Sequence, residues 1–90
     1  MFDIFSIKGK KTFIAGATGG IGQTIAKHFS KAGSDLIIAG RRESLLNKIK
    51  ADIENNNKIM PLSFDISKTN SINLAIEKVM NEFDKIDILI

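Results

Sequence analysis

Eight residues near the amino terminus, Ala15-Gly16-Ala17-Thr18-Gly19-Gly20-Ile21-Gly22, set four glycines between two segments of different periodicity. Before them runs Thr12-Phe13-Ile14, an apolar stretch suited to a buried strand. After them Ile21, Ile25 and Phe29 recur every fourth position, the spacing of one helix face. A turn this rich in glycine lets backbone N–H groups approach a pyrophosphate closely, and the N-terminus of the following helix adds partial positive charge. Glycine also marks ordinary tight turns, so the cluster alone is a weak signal. The strand before it and the helix after it supply the context of a nucleotide-binding turn. On this reading Gly16, Thr18, Gly19, Gly20, Ile21 and Gly22 are candidate cofactor-binding residues, with Gly16 where the chain turns tightly and Gly20 where the pyrophosphate comes closest.

The alternation between strand and helix spacing continues along the chain and is the signature of βα units in a parallel sheet. It predicts strand one from about Lys11 to Ala15 and helix one from about Gly20 to Ala32, stopping at Gly33. Strand two follows from Asp35 to Ala39. Helix two begins near Arg42, carries Leu45, Leu46, Ile49 and Ile53 on one face, and ends at the polar loop Asn55-Asn56-Asn57. Strand three runs from Ile59 to Phe64. Ser67 is the expected N-cap of helix three, whose stripe is Ile72, Ala75, Ile76, Val79, Met80 and Phe83, and strand four is Ile86 to Ile90. The expected architecture is α/β, a partial Rossmann (doubly wound) fold of the form β-α-β-α-β-α-β. Right-handed crossovers give a parallel sheet of order 3-2-1-4, with helices one and two on one face and helix three on the other.

Ninety residues make one domain, and a chain of this size buries only ~60–65% of the surface it exposes when unfolded. A composition of 43% hydrophobic and 26% charged residues belongs to a folded globular protein, and no apolar run approaches the ~20 residues of a membrane span. The stretch from Met1 to Ile7 is interrupted by Asp3 and lacks a basic n-region, so it reads as mature protein. The absence of cysteine excludes disulfides and a thiol nucleophile and fits a cytoplasmic address; a single histidine argues against a metal site. The net charge is +3, and the lysines are interleaved with acids instead of forming the dense basic stripe of a nucleic-acid surface. Neither nucleic acid nor a membrane is an expected partner.

In a Rossmann-type unit the end of strand two meets the adenosine ribose, and here that end is Gly40-Arg41-Arg42. An acid at this place accepts from the ribose hydroxyls and repels a phosphate, whereas a guanidinium makes charge-assisted, bidentate bonds to a 2′-phosphate. Gly40, Arg41 and Arg42 therefore favour NADP(H) over NAD(H). The chain carries thirteen basic residues of which only these two are arginine, which sharpens the argument; the competing reading is an exposed helix N-terminus with ordinary surface arginines. Asp65, directly after strand three, stands at the carboxyl edge of the sheet. It has two uses open to it, accepting a hydrogen bond from the adenine amino group or capping the local turn or helix three. Asp35 lies at the far end of strand two, and His28 faces away from the apolar stripe; neither receives a role. A P-loop reading fails because Gln23 stands where the phosphate-binding lysine belongs and Ala17 where the first glycine belongs.

Taken in order, these residues resemble the short-chain dehydrogenase/reductase family. Ile7-Lys8-Gly9-Lys10 resembles its lead-in, Gly16-x-x-x-Gly20-x-Gly22 its glycine motif, Gly40-Arg41-Arg42 its cofactor-selecting position, Asp65-Ile66-Ser67 its adenine-contacting segment, and Lys85 to Ile90 its fourth strand. The family usually has Thr where this chain has Ala15. Gly16, Gly19 and Gly22 also satisfy the glycine spacing of the extended branch, so the glycines alone leave the branch open, while the lead-in and Asp-Ile-Ser favour the short one. Within it the similarity is closest to bacterial-type 3-oxoacyl-acyl-carrier-protein reductases and neighbouring polyol or sugar-acid dehydrogenases, two groups that this half does not separate. The resemblance implies a nicotinamide dinucleotide as partner, adds Ile66 to the candidate cofactor-binding residues, and implies a homo-oligomer for the intact protein. The family's catalytic Ser and Tyr-x-x-x-Lys follow strand four, and this chain contains no tyrosine. No residue is therefore assigned as catalytic or metal-binding. The expectation is an N-terminal cofactor-binding segment, residues 1–90, of a carbonyl/alcohol oxidoreductase, truncated before the catalytic half. The alternative is a non-catalytic nucleotide-binding module or pseudogene remnant. Made alone, the chain is expected to self-associate or partly unfold, because apolar side chains of strands two and three and the hydrophobic edge of strand four are left uncovered.

Overall fold

The computed structural model describes residues 7–53, 57–65 and 67–90. Asn55 and Asn56 of the polar loop, the candidate Ile66 and most of the amino-terminal stretch lie outside the described residues. The elements are β1 (Lys11–Ala15), α1 (Gly20–Lys31), β2 (Asp35–Gly40), α2 (Glu43–Ile53), β3 (Ile59–Ser63), α3 (Thr69–Glu82) and β4 (Ile88–Leu89). The strands form one parallel sheet in the order β3-β2-β1-β4, as the crossover rule requires.

The reason lies in β2. Its apolar run Leu36-Ile37-Ile38-Ala39 is buried throughout, so both faces must be covered. Leu36 and Ile38 join Ile14, Ala26, Leu46, Ile49 and Ile59 under α1 and α2, with Ile25, Phe29, Leu45 and Ile53 packed around them. Ile37 and Ala39 point the other way and join Leu62, Ala75, Val79 and Phe83 under α3. β3 is an outer strand paired only to β2, and it carries Pro61 opposite Ile38. Proline has no N–H to donate, which suits it to an edge.

Four expectations are corrected. The apolar side chains of β2 and β3 are not left open, because α3 lies over them; what remains exposed is the outer flank of α3 and the last strand, at Leu74, Ile76, Met80, Ile86, Leu89 and Ile90. Ile21 is 80% exposed, since the first turn of α1 stands at the carboxyl edge of the sheet, and the buried positions of α1 are Ala26 and Ser30. Ser67 does not cap α3: the helix starts at Thr69 behind Lys68, with no side-chain cap, and the Ser67 hydroxyl donates instead to Asp65 Oδ1 at 2.7 Å. Capping would use the serine oxygen as an acceptor; with the helix beginning at Thr69, Ser67 lies before the N-cap position, and its hydroxyl serves the Asp65 turn as a donor. The β4 ladder itself is only two residues long, although bonds from Asp87 N to Lys11 O, Ile90 N to Phe13 O and Ala15 N to Ile90 O carry the alignment across the expected span. The helix-ending glycine is as expected, with Gly33 at φ +92°.

Asn57, which the sequence presents as part of a loop tip, is a structural clamp. Its side-chain amide donates to Ser30 O at 3.0 Å and to Ser34 O, while the Ser30 hydroxyl donates to Ile53 O at 2.8 Å. The end of α1, the end of α2 and the entry to β2 are thereby tied together opposite the glycine turn. Nearby, the buried hydroxyls of Thr12 and Ser34 bond to each other at 2.8 Å. Replacing Asn57 with Ala should strip Ser34 O of its donor and lower unfolding stability by roughly 1–3 kcal/mol, read from the urea midpoint with an unchanged slope.

Candidate functional site

The carboxyl ends of β1 and β2 open into a cleft of about 540 Å³ lined by Ala15, Gly16, Thr18, Gly19, Ala39, Gly40, Arg41, Arg42 and Phe64. Its floor is the glycine turn. Gly16 has φ +68°, a left-handed conformation that side chains disfavour, and Gly19 N closes the turn onto Gly16 O at 3.1 Å. Ala17 N donates to Ala39 O at 3.1 Å, so the turn is held to the end of β2 as a continuation of the sheet. Gln23, one turn into α1, donates through its side-chain amide to Thr18 O at 2.9 Å and braces the loop from behind.

The glycines divide by task. A Cβ on Gly20 would meet nothing within 4 Å, and one on Gly19 only Gly16 O at 3.6 Å, so both present bare backbone to open space. Gly22 is different: its Cβ would stand 2.5 Å from Gly16 O and 2.9 Å from Ala17 Cα. The first turn of α1 packs directly on the backbone of the loop. The opening amides of a helix have no intrahelical acceptor, and α1 has neither an acidic residue in its first turn nor a side-chain cap, so its positive end is not offset by its own sequence. Gly20, Ile21 and Gly22 stand at this helix start, beside the residues that line the cleft.

At the other end of the cleft Gly40 lets Thr18 approach, a Cβ there lying 3.1 Å from Thr18 Cγ2. Arg41 and Arg42 follow in the bend before α2 and are exposed; Arg42 O accepts the first helical bond from Leu46 N at 3.0 Å. The Ser63 hydroxyl donates to Arg41 O at 3.1 Å, and Phe64 N donates to Gly40 O at 3.1 Å, so the ends of β2 and β3 are fastened to one another. Asp65 lies just outside the lining residues. Its Oδ1 accepts from Ser67 N at 3.0 Å as well as from the Ser67 hydroxyl, and its Oδ2 is 3.9 Å from Arg41 Nη2. The two Ser67 hydrogen bonds, with lesser help from Arg41 and Lys68, hold its carboxyl below the usual carboxylate range.

Of the sequence candidates, Gly16, Thr18, Gly19, Gly40, Arg41 and Arg42 line one cleft, and Asp65 stands beside it in a local turn. Phe64 and Gln23 receive no part in the site from the sequence, where one only ends strand three and the other only rules out a P-loop. Phe64 gives no periodic signal, yet it precedes Asp65 at the carboxyl edge, and that position marks it. Among the described residues no cluster of His, Cys, Asp or Glu suits a metal ion, and no helix is long and apolar enough to cross a membrane.

The family model described as short chain dehydrogenase matches residues 10–90. The chain belongs to the short-chain dehydrogenase family. A short chain dehydrogenase/reductase of Gibberella zeae is 33% identical over 85 residues, covering 94% of this chain and 32% of that protein. Among solved structures, the 3-ketoacyl-(acyl-carrier-protein) reductase of Brucella melitensis complexed with NADH superimposes with a TM-score of 0.81 at 31% identity, over 92% of this chain and 33% of its own. The L-sorbose reductase of Gluconobacter frateurii complexed with NADPH and L-sorbose gives 0.79 at 26% identity, over 92% and 32%. This short-chain dehydrogenase sequence thus spans about a third of the length of the relatives it matches.

Gly22→Ala tests the packing of the glycine turn. Its Cβ has backbone on every near side and cannot be accommodated by rotating a side chain, so the loop or helix must move, at a cost of ~1–3 kcal/mol typical of overpacking. Gly20→Ala, with open space around it, should leave unfolding stability within about 1 kcal/mol of the parent, the ordinary range for a glycine-to-alanine change. Thermal unfolding of the two variants side by side checks the contrast.

Proposed function

We propose that this chain is the nicotinamide-dinucleotide-binding part of a carbonyl/alcohol oxidoreductase, with NADP(H) preferred over NAD(H). The observation that carries the reading is a single cleft lined both by a bare-backbone glycine turn, whose Gly19 is the N-cap of α1, and by two arginines. A dinucleotide laid along it has its pyrophosphate against the amides of Gly19, Gly20, Ile21 and Gly22 and its adenosine ribose beside Gly40, Arg41 and Arg42. Asp65 and Ile66 are assigned to the adenine end. The group supplies hydride transfer when bound. The chain's own part is binding and orientation, because a general acid of the tyrosine type is absent from its sequence.

The preference for NADP(H) rests on charge. A guanidinium matches a phosphate with paired donors, and neither arginine is neutralised by a buried carboxylate among the described residues. Relatives differ in this respect, one neighbour holding NADH and another NADPH, so the argument stands on Arg41 and Arg42 themselves. A substrate of the 3-oxoacyl type is the finer proposal, supported by the resemblance of the Brucella melitensis reductase. A non-catalytic binding module is the competing reading; in-frame coding sequence continuing past Ile90 with a Tyr-x-x-x-Lys pair would decide against it. We also assign the protein to the cytoplasm, on its lack of cysteine.

Two measurements test the proposal. Replacing Arg41 and Arg42 together with Ala should weaken NADPH at least tenfold more than NADH, because each charge-assisted bond is worth roughly 1.5–3 kcal/mol; equal weakening, seen by titrating the intrinsic fluorescence of the reduced cofactors, would sink the assignment. The 90-residue chain made alone should sediment as a dimer or larger species, its outer α3 flank and β4 being exposed and apolar, and should oxidise no NADPH with carbonyl substrates. A stable monomer, or turnover that survives rigorous purification, would count against it.

A further inference from the structure

Asp65 uses its two carboxylate oxygens differently. Oδ1 is committed to the Ser67 N–H and hydroxyl, and the backbone N–H of Asp65 donates to Ser71 Oγ at 3.0 Å, so the local turn and the first turn of α3 fix the group in place. Oδ2 accepts no hydrogen bond among the described residues and faces Arg41 Nη2 at 3.9 Å. The Arg41 backbone is also held, by the Ser63 hydroxyl, whereas its guanidinium remains 77% exposed. This is a loose ion pair between an anchored anion and an exposed cation. Arg42 has no ion-pair partner among the described residues, so the two adjacent arginines are electrostatically unequal.

We propose that Asp65 is a specificity-determining residue that tempers the preference of the cleft for a 2′-phosphate, by partnering Arg41 when the dinucleotide lacks that phosphate and opposing the phosphate when it is present. The proposal rests on the cofactor reading above. With NADH bound, Arg41 at the ribose end would otherwise be a cation without a counter-charge, and Oδ2 supplies one. With NADPH bound, the guanidinium must be shared between carboxylate and phosphate, and the carboxylate faces a like charge across it. The ion pair stands already in the unliganded protein, so NADH neither gains nor loses by it, whereas NADPH loses part of the Arg41 contact and meets a like charge; the gap between the two cofactors narrows. Because Ser67 holds the carboxyl below its ordinary range, the charge is present throughout the neutral range. The pair is solvent-exposed, which limits its weight to a few-fold and not to orders of magnitude. Arg42 then acts as the unshared phosphate ligand and Arg41 as the adjustable one.

A contact from Asp65 to adenine would act equally on both cofactors, since adenine is common to them, so the ratio of their dissociation constants isolates the proposed role. The experiment titrates NADPH and NADH into the full natural protein and into D65N, R41A and the double variant. Asparagine keeps a carbonyl oxygen for the Ser67 bonds while losing the charge. In D65N the ratio Kd(NADH)/Kd(NADPH) should rise about two- to fivefold, and in the R41A background the same change should raise it clearly less. A ratio that stays constant or falls in D65N, or that rises equally without Arg41, overturns the proposal. If R41A combined with R42A also leaves the ratio unmoved, or neither dinucleotide binds the unaltered protein, the cofactor reading falls as well. Asp65→Ser, whose hydroxyl can still accept from Ser67 N–H, repeats the measurement should D65N fold poorly, with the same ratio expected.

Discussion

The burial of β2 on both faces governs the rest of the molecule. Leu36, Ile37, Ile38 and Ala39 are all out of water, and a fully buried aliphatic side chain contributes about 1.5–3 kcal/mol relative to an exposed one. Such a strand is stable only in the middle of a sheet with helices on both sides. That requirement places β1 and β3 on its flanks, α1 and α2 on one face, and α3 on the other. It also aligns the carboxyl ends of β1, β2 and β3, which is why Gly16, Arg41 and Phe64 meet in one cleft although they lie far apart in the chain.

The sheet was legible because its signals are local. The apolar run of β2, the Gly33 stop and the glycine cluster each declare themselves within a few residues, and, with β4 beside β1, the handedness of crossovers then sets the face on which each helix lies. What stayed hidden depends on tertiary placement. Nothing in the spacing of Ile21, Ile25 and Phe29 shows that α1 starts at the sheet's edge, so that its first isoleucine faces solvent while Ala26 is buried. The run of three asparagines looks like solvent-facing loop, yet Asn57 reaches two carbonyls on segments more than twenty residues away.

The candidate site divides in the same way. Residues that line the cleft through backbone conformation, Gly16 and Gly19, or by following a strand end, Gly40, Arg41 and Arg42, were readable from their order. Phe64, Gln23 and the pairing of Arg41 with Asp65 were not, since each depends on which side chain faces which across two strands or across the loop. Ser67 shows how much turns on one residue of register: a serine before a helix has a capping role by default, but α3 starts behind Lys68, and the Ser67 hydroxyl donates to Asp65 instead. Chemistry beyond cofactor binding was not legible because the sequence holds no tyrosine to carry the family's proton transfer.

Pro61 gives the sheet two unlike ends. On the outer strand β3 it removes a donor from the free edge, so a strand arriving there finds an interrupted ladder. At β4 no proline interrupts the backbone, and Ile88 and Leu89 are held in register with β1. The β3 margin therefore resists the addition of a further strand, and with it growth of the sheet into a fibre from that side.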